Sequence, residues 1–422
     1  MNRSDRQIVF FTAGSHGLVH TYELAIPILM TVWLIEFSVT AALLGAAVTV
    51  GYGLFGVGAL PGGILVDRYG SKPLILASLL GMAAAFLLAS LAPSFVTLVI
   101  AIGIWGIAAS VYHPAGLALI STSIEKPGVA YGYHGMGGNI GIALGPLATA
   151  VLLTQFDWRI VAAVLTIPTA IIVVYGLLVD IDDQTVASKT EGNTTNSDTS
   201  STKGKLTVAA IQRDTRTLFT LGFSIIFVIV LLSGLYYRAF LTFLPDLLGD
   251  LLGGLVDISL FGEGSVVAEE FDIGHYLYVG ILLFGIGGQY LGGYLAQRFA
   301  PERALGYVLA VLAGLALLFV PAVAIGVVPF VGVALLLGIA LFTIQPLQQA
   351  TVAAYSPEET RGLSFGYTFL AIFGIGALGA AIAGTVLTVA SIDALFVVLA
   401  AIAVTGALVV TIFRRNIVSS GR

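Results

Sequence analysis

Gly63-Ile64-Leu65-Val66-Asp67-Arg68-Tyr69-Gly70-Ser71-Lys72 joins two long apolar runs. Two glycines, Gly63 and Gly70, an acid–base pair and a closing lysine make a tight, charged turn. Asp67, Arg68 and Lys72 place three charges within that turn. A charged tight turn between apolar runs is what a chain needs where two membrane-crossing helices meet water.

Composition agrees with a lipid environment. Hydrophobic residues make up 58% of the 422 residues and charged residues only 10%, against about 25% charged in soluble domains. So little charge cannot cover a water-soluble fold of this size. The net charge of −5 is spread over loops, with no basic surface to suit nucleic acid. There is no cysteine, which excludes disulfides, thiolate metal sites and a cysteine nucleophile. The first apolar run, Ile8 to Trp33, exceeds the roughly 7–15 residues of a signal-peptide core, so a retained first helix is expected.

A helix crossing a bilayer needs about 20 mostly apolar residues. Twelve stretches qualify: 8–33, 38–66, 74–92, 95–122, 128–154, 158–180, 217–245, 273–297, 303–325, 327–354, 362–389 and 391–413. With this assignment, all of the 18 Lys and Arg except Arg159 and Arg238 fall on one side. The positive-inside rule makes that side, and both termini, cytoplasmic. The expected fold class is an all-α membrane protein of twelve transmembrane helices in two pseudo-symmetric six-helix bundles. Residues 1–180 form the first bundle, 181–216 a flexible cytoplasmic linker too polar to fold alone, and 217–422 the second. Residues 246–272 are expected to make an acidic outer loop, helical in part.

The two halves echo each other. Gly62-Gly63-Ile64-Leu65-Val66-Asp67-Arg68 returns as Gly292-Gly293-Tyr294-Leu295-Ala296-Gln297-Arg298. His113-Pro114 returns as Gln345-Pro346, and Ala143-Leu144-Gly145-Pro146 as Ala377-Leu378-Gly379-Ala380, in the same order at nearly constant offsets. Gln297 replaces Asp67 in the second copy, so that turn is expected to be less tightly latched.

The pattern G-x-x-x-D-R-x-G-x-K of Gly63, Asp67, Arg68, Gly70 and Lys72 resembles the loop 2–3 signature of the major facilitator superfamily of transporters. Three further stretches resemble its fosmidomycin-resistance branch, whose members export drugs in exchange for protons: Val111-Tyr112-His113-Pro114, Gly137 to Pro146, and Tyr237 to Pro245. Gly132, Gly141, Gly145 and Pro146 match the spacing of the antiporter motif of proton-linked exporters, with Thr149 and Ala150 departing from its terminal glycine pair. Such glycines also serve close helix packing in lipid. The resemblance implies two rocking bundles around a central substrate site, and the latch role of the Asp67 turn.

Ionisable groups at membrane depth cost roughly 2.5–3.5 kcal/mol on insertion scales, so each is a candidate for function. His16, His20 and Glu23 lie on one face of the first span, and a histidine beside a carboxylate suits a proton carrier. His113 either bonds the carbonyl that Pro114 frees one turn back or faces the cavity. His134, near the start of the fifth span, is read either as a gate or as a satisfied interface histidine. These five are the proton-coupling candidates. Arg238, always charged, is expected to meet Glu23 across the bundles until an anionic substrate competes for it. Tyr22, Asn139, Tyr237, Gln345, Gln348 and Gln349 are expected to line the substrate cavity with it, although glutamines also join helices.

The expected function is thus a secondary active transporter exporting a small organic compound or drug for protons, from the plasma membrane, as a monomer. The alternative is a proton-coupled symporter importing a sugar, carboxylate or small anion. His16 and His20 have the i, i+4 spacing of a metal pair, but the glutamate of an H-E-x-x-H site is missing. No metal, cofactor, ATP or enzymatic activity is expected, and the partners are lipid, protons and a small-molecule substrate.

Overall fold

A computed structural model describes residues 1–179, 208–252 and 273–415. Every element in them is helical. Among the described residues twelve helices are long and apolar enough to cross a membrane: Arg3–Glu36, Leu43–Tyr69, Ser71–Ser90, Phe95–Ser123, Gly128–Leu153, Trp158–Leu178, Leu221–Pro245, Tyr276–Arg298, Pro301–Ile325, Val327–Ala354, Glu358–Val389 and Ile392–Phe413. They are called here the first to the twelfth span. The turn quoted above is tighter than a loop. Gly70 alone, at φ 87, separates the end of the second span from the start of the third.

Burial of apolar surface cannot drive helices together in lipid, so small residues that permit backbone contact do more of the work. The fifth span shows this as a ladder. A Cβ added at Gly137, Gly141 or Gly145 would strike the backbone of Ala13, Gly17 or Thr21 in the first span. The four-residue step is the same on both helices, so one face of each is zipped along three turns. On another face of the fifth span, Gly128 and Gly132 meet the backbone of Gln297, Gly293 and Gln289 in the eighth.

The sequence echoes acquire a structural meaning here. Gly63 in the second span packs on Gly362 and Gly366 in the eleventh, and its counterpart Gly293 in the eighth packs on Gly128 and Gly132 in the fifth. Gly145 rests on the first span, and its counterpart Gly379 rests on Leu235 of the seventh. The same sequence device makes the same contact twice, which is the pseudo-symmetry read from the chain.

The face that carries Arg68, Lys72 and the starts of the first, third and fifth spans is called the terminal face. Lys72 Nζ donates to the carbonyl of Val179, 2.7 Å away, at the end of the sixth span. Toward the opposite face, Arg159 pairs with Glu36 at 2.8 Å and lies over the Trp158 ring. Trp33 and Phe37 pack against Trp158. An aromatic cluster beside a charge pair suits a membrane–water boundary, and it accounts for one of the two cations outside the main charge pattern.

One expectation about the connecting segments is corrected and another takes a definite form. Residues 208–216, assigned to the flexible linker, belong to the helix Val208–Leu218. Leu218 is buried, and Thr215 hydrogen-bonds to Tyr367 at 3.1 Å, so this end of the segment has packing partners. Residues 246–252, assigned to the outer loop, continue the helix Leu221–Leu252, with Leu248 and Leu252 buried. Residue 180, the remainder of the linker (181–207) and of the loop (253–272), and the C-terminal end (416–422) lie outside the described residues.

Candidate functional site

The four histidines at 16, 20, 113 and 134 come together in one cluster. The first span contributes His16 and His20, one turn apart, and Glu23 three residues on. The fourth span is broken at Val111 into Phe95–Ser110 and Tyr112–Ser123, and His113 stands in the first turn after the break. The fifth span contributes His134. His16, His20, His113 and Glu23 are 4, 8, 2 and 6% exposed, so none is a surface group. Space for the His16 ring comes from Gly138, where any Cβ would overlap the imidazole.

The hydrogen bonds fix where protons sit. His16 Nδ1 lies 2.7 Å from the carbonyl oxygen of His134, and a carbonyl only accepts, so Nδ1 carries the hydrogen. In a neutral His16, Nε2 is then a lone pair. His20 Nε2 lies 3.0 Å from that atom and donates to it. His20 Nδ1 lies 2.6 Å from Glu23 Oε2, and one further proton is held between them. Behind this row, the His134 ring stacks on His16 at 4.0 Å. His113 stands edge-on to His16 at 5.1 Å and touches Phe55, Phe369 and Phe373.

Several sequence expectations are corrected by these contacts. Glu23 pairs with His20 rather than Arg238; a residue three positions along the same helix is the nearer neighbour. Arg238 shares a small cavity with His20, Glu23, Tyr237, Tyr278 and Phe373 and lies 5.5 Å above the Phe373 ring. Among the described residues it makes no ion pair, and its Nε is buried without a hydrogen-bond partner. His113 does not bond the carbonyl freed by Pro114; its Nδ1 is buried and unpartnered. Neither ring nitrogen of His134 has a partner, so it is not a satisfied interface histidine. Tyr22 is fully buried, with its hydroxyl 2.6 Å from that of Thr169 in the sixth span. It belongs to the interior of the first bundle and not to the cavity.

The other expected lining residues do converge. His16, His20, His113 and Asn139 from the first six spans share one cavity with Tyr237, Gln345, Gln348, Gln349, Phe369 and Phe373 from the last six. Gln289, which sequence reasoning missed, ties the two sides together. Its Nε2 donates to Asn139 Oδ1 at 3.1 Å and to Gln345 Oε1 at 2.7 Å, and Asn139 Nδ2 donates to the Leu282 carbonyl. Its one sequence signal is a lone amide among Gly285, Gly288 and Gly292 in an apolar run. Tyr52, also missed, donates to the Glu23 carbonyl at 2.6 Å.

Below the cavity, toward the terminal face, the bundles touch. Asp67 accepts hydrogen bonds from the amides of Gly362 and Leu363, at 2.6 and 2.8 Å. These are orphan donors at the start of a helix, where a carboxylate also meets a favourable dipole. Arg68 lies over Tyr69, and Arg361 reaches back to the Ala353 carbonyl. Gln297 stands at the equivalent place in the second half, backbone against Gly128.

Two six-span halves related by an internal repeat, with a polar cavity between them, define a transporter of the major facilitator type. The Major Facilitator Superfamily model matches residues 9–377, and again 264–421; the chain belongs to that family. Such proteins are transporters and not enzymes. The chain is 37% identical over 108 residues to "Puromycin resistance protein pur8" of Streptomyces alboniger, a match spanning 25% of this chain and 22% of that protein. It is 27% identical over 160 residues to "Inner membrane transport protein YnfM" of Escherichia coli strain K12, spanning 37% of each. The matches therefore cover well under half of either relative. The human organic anion transporter MFSD10 (TETRAN) superimposes with a TM-score of 0.67 over 97% of this chain and 100% of its own, at 14% identity, a likeness of fold.

Proposed function

We propose that this chain is a secondary active transporter that exports a small organic compound in exchange for protons by alternating access, like members of the fosmidomycin-resistance branch. One observation carries the reading: a cavity walled by both halves, lined by His16, His20, His113 and Asn139 on one side and Tyr237, Gln345, Gln348 and Gln349 on the other. A binding site shared by two bodies changes shape when they rock, which is the physical requirement for alternating access. The His20–Glu23 pair adjoins that site, so cargo and proton occupancy are set side by side. The resistance function in the name of the Streptomyces relative favours export.

In this reading the bundles are residues 1–180 and 217–422, joined by 181–216. The transporter sits as a monomer in the plasma membrane with both termini in the cytoplasm. Asp67, Arg68 and Lys72 with Gly63 and Gly70 form the latch that holds the terminal face closed. Gly132, Gly141, Gly145 and Pro146 keep the fifth span close to its two neighbours.

Arg238 favours a second reading, a symporter importing a carboxylate or other small anion. A guanidinium at membrane depth with no ion pair among the described residues is stabilised by an anionic cargo. One experiment separates the two. The protein is reconstituted in vesicles, a pH gradient is imposed, and internal pH is followed while phosphonates, organic acids and hydrophobic cations are offered in turn. Proton flux opposite to cargo supports export; flux in the same direction supports import; cargo movement that ignores the gradient overturns proton coupling altogether.

A further inference from the structure

The histidine cluster has the layout of a metal centre, and we propose that it binds a divalent first-row transition ion such as Zn²⁺ or Co²⁺ through His16, His20 and His113. The inference goes beyond the transport reading and does not depend on it.

Three features of the geometry point there. First, His16 and His20 turn the same atom, Nε2, toward each other at 3.0 Å. Two nitrogens bound to one tetrahedral Zn²⁺ at about 2.0–2.1 Å stand roughly 3.3 Å apart, so these two are already spaced for an ion between them. Second, the far side of each ring is held as a metal-binding imidazole requires. Nδ1 of His20 meets the carboxylate of Glu23 at 2.6 Å, and Nδ1 of His16 meets the His134 carbonyl at 2.7 Å. A carboxylate or backbone carbonyl on the second nitrogen fixes the tautomer and raises the basicity of the ligating one. Third, His113 supplies another imidazole, with one ligand atom from each of the three rings within 4.8 Å of the others. His113 is 2% exposed and its Nδ1 has no hydrogen-bond partner, so a buried lone pair or N–H there is unsatisfied.

The donor set selects the ion. Three neutral imidazoles suit Zn²⁺, Co²⁺, Ni²⁺ or Cu²⁺, whereas Mg²⁺ and Ca²⁺ take oxygen ligands. Phe55, Phe369 and Phe373 wall the outer side of His113, and the three rings border the central cavity. A tetrahedral ion would thus have three protein ligands and a fourth position open to water or to a solute. Binding displaces the hydrogen that His20 Nε2 now donates to His16, and that proton leaves to solvent through the cavity.

The test uses full-length protein in detergent with any affinity tag removed. Co²⁺ is titrated in and visible absorption recorded, and Zn²⁺ is titrated in competition with a chromophoric chelator. The expected result is the intense visible spectrum of tetrahedral Co²⁺, saturating at one equivalent and abolished by excess Zn²⁺. His16→Ala and His113→Ala should each remove it, and Glu23→Gln should weaken binding about 10–100-fold, as loss of an outer-shell partner does. His275→Ala, at the fifth histidine of the chain, should leave it in place. Because the chain has no cysteine, His113→Cys adds a unique thiolate, and its Co²⁺ complex should gain a thiolate charge-transfer band. That band decides the matter even if the alanine variants do not fold. Saturation without a tetrahedral spectrum, binding unchanged in His113→Ala, or a His113→Cys complex without the band overturns the proposal.

Discussion

Asp67 and Gly362, 295 positions apart in sequence, are joined by a 2.6 Å hydrogen bond from the Gly362 amide to the Asp67 carboxylate. The bond ties the end of the second span to the start of the eleventh, and so one bundle to the other. Charge-assisted hydrogen bonds contribute about 1.5–3 kcal/mol. Asp67→Asn keeps an acceptor but loses the charge. It should slow turnover several-fold while leaving cargo affinity in the closed state nearly unchanged. Transport rates and equilibrium binding measured side by side check this, and an unchanged rate at normal expression removes the latch role.

The glycines of the fifth span each meet a close neighbour, whereas Gly53 of the second span meets none. Gly141→Ala would press a methyl group onto the Gly17 backbone, and Gly138→Ala would press one onto the His16 ring. Overpacking of this kind costs about 1–3 kcal/mol. Gly141→Ala should lower thermal stability, and Gly138→Ala should chiefly impair transport by displacing His16. Gly53→Ala meets nothing within 4 Å and should change neither. Melting curves in detergent alongside transport assays would expose any departure from this order.

Gln289→Leu deserves a separate measurement, because it leaves Asn139 Oδ1 and Gln345 Oε1 without their shared donor. Interhelical hydrogen bonds in membranes average about 0.6 kcal/mol, with a maximum near 1.7. The two halves should separate more readily, which distance measurements between labels on the fifth and eighth spans would detect as a broader distribution. An identical distribution would mean that glycine packing alone holds that seam.

Arg238→Gln and Tyr22→Phe should behave in opposite ways. The first should reduce transport of anionic compounds at least about tenfold, the scale of 1.4 kcal/mol, with little effect on stability. The second removes the hydroxyl contact to Thr169 and should cost about 0.5–1.5 kcal/mol of stability, with transport intact. Full transport of anions by Arg238→Gln would take the arginine out of the site.

What could be read from the chain, and what could not, follows from the distance over which each signal acts. The spans were legible because about twenty apolar residues in a row have one reading in lipid. The repeat was legible because a glycine that touches another backbone tolerates no other residue, so Gly63 and Gly293 mark the same joint twice. Tyr22 was misplaced although helix geometry argued against it: two residues from His20 is about 200° around the helix. The Glu23–Arg238 pairing failed because His20 lies closer on the same helix. The meeting of His113 with His16 depends on a break at Val111, which no periodicity reveals.

The eleventh span is helical over Arg361–Phe369, opens into a π turn at Leu370–Gly374, and tightens at Ile375–Ala377 before resuming. A π turn holds an extra residue and so shifts the helix phase by about 100°. Before it, Gly362 and Gly366 face the second span; after it, Gly376 and Gly379 face the seventh. A straight cylinder would have to choose between those partners. The added residue works like the offset in a crankshaft, letting one continuous segment ride on the opposite body at one end and stay bolted to its own at the other.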